Sequence, residues 1–308
     1  MSDSAEWLHH FEANRTQLLE IPWHLGPDLS PVARAAVAGS LAEFQRGESS
    51  EGRHLIRYAE AYARAWGDPD YVPAIRLFIA EEQRHARDLG RFLTMNGVPL
   101  AKRSFADAVF RRLRNLVGSL EASIAVLILA EIIAQVYYAA LRKATDSGVL
   151  QRLCDQIIRD EAFHVRFQAE LLGKLRARRG RALLAATMLG QWVLFAGTCA
   201  VVWCFHARAF RCGGFGLVDF QQSARHHFNR AFAISGDVRD AWLVRRSFRS
   251  SVGLAAGPAP RSQSAPSLPP TAPRTPEPIP WSGSTRNAAP RPGGTPALRV
   301  SPGPLRPL

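Results

Sequence analysis

Cysteine is scarce in this chain, with four among 308 residues, at Cys154, Cys199, Cys204 and Cys212. That number excludes a disulfide framework as the source of stability. With no signal peptide before the first helix, a reducing cytoplasm is the expected setting. Cys199 and Cys204 are close in sequence, but five helical positions turn side chains about 140° apart, and no second pair follows to complete a zinc site. Acidic residues are also few, 26 against 39 Lys and Arg, for a net charge of +13 and an isoelectric point near 10.7. Such a balance attracts phosphate polymers or anionic membrane surfaces without naming a partner. No nucleic-acid motif and no interleaving of aromatic with basic residues is present, so nucleic acid is not an expected partner. Proline is nearly missing from the first 257 residues, since fifteen of the 21 lie beyond them. The stretch 251–308 is rich in Pro, Ser, Gly, Ala and Arg, has one acid at Glu277 and shows no apolar periodicity. It cannot bury enough surface to offset its ordering entropy, so a disordered tail is expected.

Helical periodicity is what the chain has in quantity. The first 30 residues are mixed, with Ile21-Pro22-Trp23 suggesting an extended segment packed on the domain. Ser30-Pro31 reads as the start of a short amphipathic helix running to about Gln45. Four longer helices follow, at about 50–66, 73–95, 119–144 and 149–178, each ended by a breaker: Gly67-Asp68-Pro69-Asp70, Asn96-Gly97, Asp146-Ser147-Gly148 and Arg179-Gly180. The third is apolar nearly all round except for Glu121, Glu131 and Gln135. Residues 98–117 hold a short basic helix around Phe105-Ala106-Asp107-Ala108-Val109-Phe110, on a connection too long for a hairpin. The expected division is an N-terminal segment 1–46, an all-α bundle 47–180, additional apolar and basic helices 181–250, and the tail 251–308.

Charge is absent from 182–205. Two readings of this stretch stay open: a helical hairpin broken near Gly197 and packed on the bundle, or a membrane-inserted or interfacial segment. Arg176, Arg178, Arg179 and Arg181 before it, with Arg208 and Arg211 after it, weaken a single span, because the positive-inside rule needs asymmetric flanks. Residues 206–250, with Cys212-Gly213-Gly214-Phe215-Gly216 as a turn, read as one further basic amphipathic helix.

Two short motifs interrupt the apolar stripes. One is Ala80-Glu81-Glu82-Gln83-Arg84-His85, the other Arg159-Asp160-Glu161-Ala162-Phe163-His164. Each puts an acid, then a Glu, then a His three residues on, so carboxylate and imidazole share one helix face. Glu82 and His85 fall on the stripe Ile75, Phe78, Ile79, Leu89, Phe92, and Glu161 and His164 on the stripe Leu150, Leu153, Ile157, Leu171. An unpaired charge on a core-facing stripe costs several kcal/mol, so such groups are paired or metal-bound. Each motif also has a Glu upstream on another helix, Glu51 with 29 residues between it and Glu81, and Glu131 with 28 before Asp160.

A Glu followed by Glu-x-x-His, twice over with matched spacing, resembles the ferritin-like di-iron carboxylate superfamily over roughly residues 45–175. The resemblance implies an antiparallel four-helix bundle with a long crossover, which the length of 98–117 suits. It implies that Glu51, Glu82 and His85 serve one metal and Glu131, Glu161 and His164 the other, two carboxylates bridging. The metals would be two iron ions, or manganese or a mixed pair. Glu48, one turn before Glu51, is the alternative first-helix ligand. Glu51 is preferred because Glu51/Tyr58 and Glu131/Tyr138 repeat one seven-residue offset, and His54 is either an extra nitrogen ligand or a surface residue. Glu81 and Asp160 would stand behind the ligands, Asp160 holding His85 and Glu81 holding His164, unless Glu81 is a solvent-side acid. Tyr58, Tyr62, Tyr137 and Tyr138 carry radical chemistry in such a family or simply pack the core.

The implied activity is that of a non-haem di-iron oxygenase or oxidase, activating dioxygen or peroxide on a small-molecule substrate that the sequence does not identify. Two other readings remain: a ferroxidase or metal-handling protein, and a membrane-associated structural bundle whose Glu and His residues pair with one another. A homodimer is left open.

Overall fold

The computed structural model describes residues 4–49, 52–102 and 118–253, with side chains described to residue 243. The chain divides into two units, 1–257 and 258–308, and all described residues belong to the first. They are helical, with no strand among them. The expected basic helix at 105–110, the residue Glu51 and the tail beyond 253 lie outside the described residues.

Eight α-helices are described: α1 (Ser4–Asn14), α2 (Pro31–Glu48), α3 (Arg53–Trp66), α4 (Tyr71–Met95), α5 (Leu120–Ala144), α6 (Gly148–Arg176), α7 (Arg181–Cys212) and α8 (Leu217–Gly253). Three start on serine caps. Ser30 Oγ accepts from Ala33 N–H, Ser119 Oγ from Ala122 N–H and Ser147 Oγ from Leu150 N–H, each satisfying an orphan donor of a first turn. α3 begins after Gly52, whose φ of 64° suits glycine, and an added Cβ there would collide with the Ile79 side chain.

Helix α2 packs against α4 and α5, and α6 packs against the same two, so α2, α4, α6 and α5 close a ring around one interior. α1 lies on α4, α3 touches α4 and α5, and α7 and α8 cover α5 and α6 from outside. Gly173 lets α8 approach α6 closely, since a Cβ there would press on the Ser235 carbonyl and Val238. Tyr137, Tyr138, Phe78, Phe92, Ile128 and Ile132 are among the fully or almost fully buried core residues.

Four expectations need correction. The N-terminal segment holds a helix that was not expected, Ser4–Asn14 forming α1 with Trp7, Phe11 and Asn14 buried at near-helical spacing, while residues 18–22 are non-helical as expected, with Ile21 and Trp23 packed on the core, and Trp23–Leu25 forms a 3₁₀ turn. α2 does not stop near Gln45 but runs to Glu48, because Gly47 weakens a helix without ending it. Residues 182–205 are not a hairpin. They lie inside the single 32-residue α7, which passes through Gly197 and turns back only after Cys212. α8 reaches Gly253, three residues into the expected tail.

Candidate metal centre

Inside the ring of four helices, the two motifs meet. Glu82 and His85 come from α4, Glu161 and His164 from α6, Glu131 from α5 and Glu48 from the last residue of α2. Donor atoms of Glu48, Glu82, His85 and Glu161 lie within 4.8 Å of one another, as do those of Glu82, Glu131, Glu161 and His164. Glu82 and Glu161 belong to both sets. Glu131 is 3% exposed, Glu161 and His164 fully buried, and His85 2% exposed.

Both histidines have the same arrangement. His85 Nε2 lies 3.0 Å from Asp160 Oδ2, across from its own helix, and His164 Nε2 lies 2.9 Å from Glu81 Oε2. With Nε2–H given to a carboxylate, each ring turns Nδ1 inward. His164 Nδ1 sits 2.9 Å from Glu82 Oε1 and 3.2 Å from Glu161 Oε2, and His85 Nδ1 sits 3.4 Å from Glu161 Oε1. Glu81 is buried and faces the site, so the solvent-side reading of that acid is corrected.

The supporting acids are held by residues the motifs do not contain. Asn14, at the end of α1, donates its amide to both Glu81 Oε1 (2.6 Å) and Asp160 Oδ1 (2.9 Å). Arg84 Nη2 donates to Asp160 Oδ2 at 2.7 Å, and Gln156 Nε2 donates to both oxygens of the same carboxylate at 2.9 Å. Gln168 Nε2 donates to Glu131 Oε1 at 3.0 Å, and Tyr138 O–H donates to Glu48 Oε1 at 2.8 Å. Gln156 and Gln168 had a signal, being four residues before Asp160 and seven after Glu161 on the same helix. Asn14 had none, because nothing in α1 marks its last residue as facing a pair of acids.

The electrostatics follow from burial. Burial, with Glu131 and Glu48 nearby, raises the Glu82 carboxyl well above the ordinary range, and burial with Glu131 and Glu82 does the same to Glu161. For His164, burial disfavours the charged ring, but the Glu161 carboxylate and the bonds to Glu161, Glu81 and Glu82 outweigh it and raise the pKa well above the usual value. Burial also opposes ionisation of Asp160, yet the His85 and Gln156 hydrogen bonds keep that carboxyl well below its usual range. Glu81 is lowered in the same way, its bond to His164 overcoming burial.

The donor set could hold a metal ion, and one direct observation supports that. His85 Nδ1 and Glu161 Oε1 are buried, 3.4 Å apart and without a formed hydrogen bond, and Glu82 Oε1 beside them meets only His164 Nδ1, at 2.9 Å. Buried acceptors left unpaired cost about 1–3 kcal/mol each, and cations would both satisfy them and reverse the upward shifts of the carboxylates. The reading in which Glu and His merely pair with each other accounts for Glu82 Oε1 but leaves His85 Nδ1 and Glu161 Oε1 without a formed hydrogen bond.

Among the other expected residues, His54 is exposed on α3, turned away from the core-facing Leu55 and Tyr62. In the described residues it is therefore Glu48, not a residue of α3, that stands at the first-helix position, because α2 and not α3 brings its end into the ring. Tyr58 is half-buried, Tyr62 packs against Trp66 and Tyr71, and Tyr137 stacks on Phe44 with ring centroids 3.4 Å apart. All four cysteines are free, with Cys154 and Cys199 buried. No family model matches the chain, and neither a curated protein nor a solved structure matches it.

Proposed function

We propose that this protein is a dimetal-carboxylate oxidoreductase built on a ferritin-like antiparallel four-helix bundle of α2, α4, α5 and α6, activating dioxygen or peroxide on a small-molecule substrate. The observation that carries the reading is the pair of four-residue donor sets sharing Glu82 and Glu161. Glu48 and His85 would hold one ion and Glu131 and His164 the other, with Glu82 and Glu161 reaching both. Four carboxylates neutralise two divalent ions, and oxygen with imidazole donors suits iron or manganese. When bound, such a pair supplies the electrons and the Lewis acidity for reducing dioxygen or peroxide.

The chain's own residues do the rest. Asp160 and Glu81 fix each imidazole tautomer and raise its basicity through Nε2, while Asn14 ties the two acids together. Phe78 and Phe11 stand against His164, ring centroids 4.7 and 6.1 Å away, and keep water from that side. On the α2–α4 side, residues next in sequence to two of the donors reach solvent. There Gln45 and Ser49, beside Glu48, and Gln83 and Ala86, beside Glu82, line an open groove of about 890 Å³.

The test is metal analysis of the purified chain after anaerobic loading with ferrous iron, followed by oxygen uptake. About two ions per chain are expected, with uptake that continues when a reductant is supplied. Uptake that ends once the added iron is oxidised would assign metal handling instead. A chain that loads no metal would end the dimetal reading.

A further inference from the structure

We propose that the outer face of α7 docks on an anionic lipid bilayer, lying parallel to the surface with its apolar side chains at the boundary between headgroups and acyl chains. The inference is independent of the metal centre.

Between Arg181 and Arg208, α7 has no charged residue. Its solvent face is led by Leu183, Leu189, Trp192 and Val193, each more than half exposed. Scattered surface apolar residues are ordinary, but a continuous face along 24 residues, about 36 Å of helix, is not. On a surface helix the charged residues belong on the solvent side. Here the polar side chains point the other way: Gln191, Thr198 and His206 are buried.

That inward face settles the orientation. Gln191 Nε2 donates to the Ala125 carbonyl of α5 at 2.6 Å, His206 Nδ1 lies 2.9 Å from Ser40 Oγ of α2, and Phe195 stacks on Phe228 of α8. To cross a bilayer, α7 would have to abandon those partners or take α2, α5 and α8 with it, leaving buried polar groups in hydrocarbon. Lying in the interface keeps every one of these contacts.

Charge selects the occupant. α7 contains no acidic residue, and its ends carry the exposed cations Arg181, Arg208 and Arg211. Anionic headgroups complement all three. A second copy of the chain does not, because pairing α7 with α7 in either direction sets arginine ends against arginine ends. Trp192, part-way along the exposed face, has the amphipathic ring that favours the headgroup level.

Flotation of the full chain with vesicles tests this, comparing equal parts phosphatidylglycerol and phosphatidylcholine with phosphatidylcholine alone. Binding to the anionic vesicles is expected, falling at least about tenfold in Leu189→Asp/Val193→Asp and in Arg208→Glu/Arg211→Glu. The helical circular dichroism should be unchanged in both. A measurement that needs no disruptive change is quenching of tryptophan emission by brominated lipid, expected in the wild type and reduced in Trp192→Phe. Absence of vesicle binding, or binding that Leu189→Asp/Val193→Asp leaves intact, overturns the proposal. So does a wild-type dimer that the same variant splits while no vesicles are bound, which would make a second copy the occupant.

Discussion

Two of the described helices, α5 and α7, are long and apolar enough to cross a membrane by length and composition, and they treat that property in opposite ways. In the most apolar 18-residue window of α5, 78% of residues are buried, against 28% for α7. α5 is covered by α2, α3, α6, α7 and α8, whereas α7 is packed on one side alone. Apart from the charged residues at their ends, the main polar side chains of both face the interior. In α5 they include Glu131, held by Gln168 within the carboxylate and histidine cluster, and in α7 they are Thr198 with Gln191 and His206, the last two of which bond the helix to its neighbours. An apolar helix thus states how much surface must be hidden and not what hides it. Five neighbouring helices do so for α5, and for most of the outer face of α7 no described element does.

The largest effect should come from putting one charge into the better covered helix. Ile132 is fully buried in α5, so Ile132→Asp leaves an unpaired carboxylate in the core and should cost about 4 kcal/mol or more in urea unfolding. A loss under about 1 kcal/mol would mean that α5 is not the central helix it is described to be.

Next come the groups α5 brings together with α6. Glu161→Ala removes an oxygen donor common to both sets, so titration with ferrous or manganous ion should show both ions weakened by more than about 100-fold. Asp160→Asn keeps the fold, since the amide is nearly isosteric, and should weaken metal binding by about 10–100-fold through the looser His85 ring. Residues 160 and 161 are about 100° apart on the helix, so one supports while the other ligates. An Asp160→Asn chain binding two ions as tightly as wild type would remove Asp160 from the site.

A smaller effect is set by pH where α7 meets α2. Burial lowers the His206 pKa from 6.5 to about 4. The folded value lies below the unfolded one, so the neutral ring's contribution is complete above pH 6.5 and is lost as pH falls toward 4, about 2 kcal/mol by pH 5. His206→Asn should therefore lose less stability than wild type between pH 7 and pH 5, measured by chemical unfolding at each pH. Equal losses would show that His206 titrates normally.

The smallest effect completes the contrast with Ile132. Leu189→Asp, on the open face of α7, should change unfolding stability by no more than about 0.5 kcal/mol in the absence of lipid. A cost near that of Ile132→Asp would show that something already covers the face.

Much of the centre was legible in the chain because a helix repeats every 3.6 residues. Glu and His three apart must share a face, and a Glu on the stripe of Ile75 and Phe78, or of Leu153 and Ile157, must point inward. Glu131 stood out for the same reason, as an acid within the apolar run of its helix. The choice between Glu48 and Glu51 was not legible. Seven-residue spacing to a Tyr favoured Glu51, which lies outside the described residues, and the direction in which α2 enters the ring brings Glu48 to the cluster and under the Tyr138 hydroxyl. Where a helix end arrives depends on packing, which local periodicity does not contain.

The sequence by itself determined the helical class, the serine-capped start of α2, and the five inward-facing donors on α4, α5 and α6, since each follows from interactions within a few turns of one helix. Tertiary structure alone decided that α1 docks by one face so that its Asn14 joins Glu81 to Asp160, and that α7 runs unbroken with its apolar face outward. Those outcomes depend on contacts between residues as far apart as Asn14 and Asp160, 146 positions along the chain. Local propensity is nearly silent about such pairs, because the free energy that fixes them comes from packing and from satisfying buried polar groups across helices.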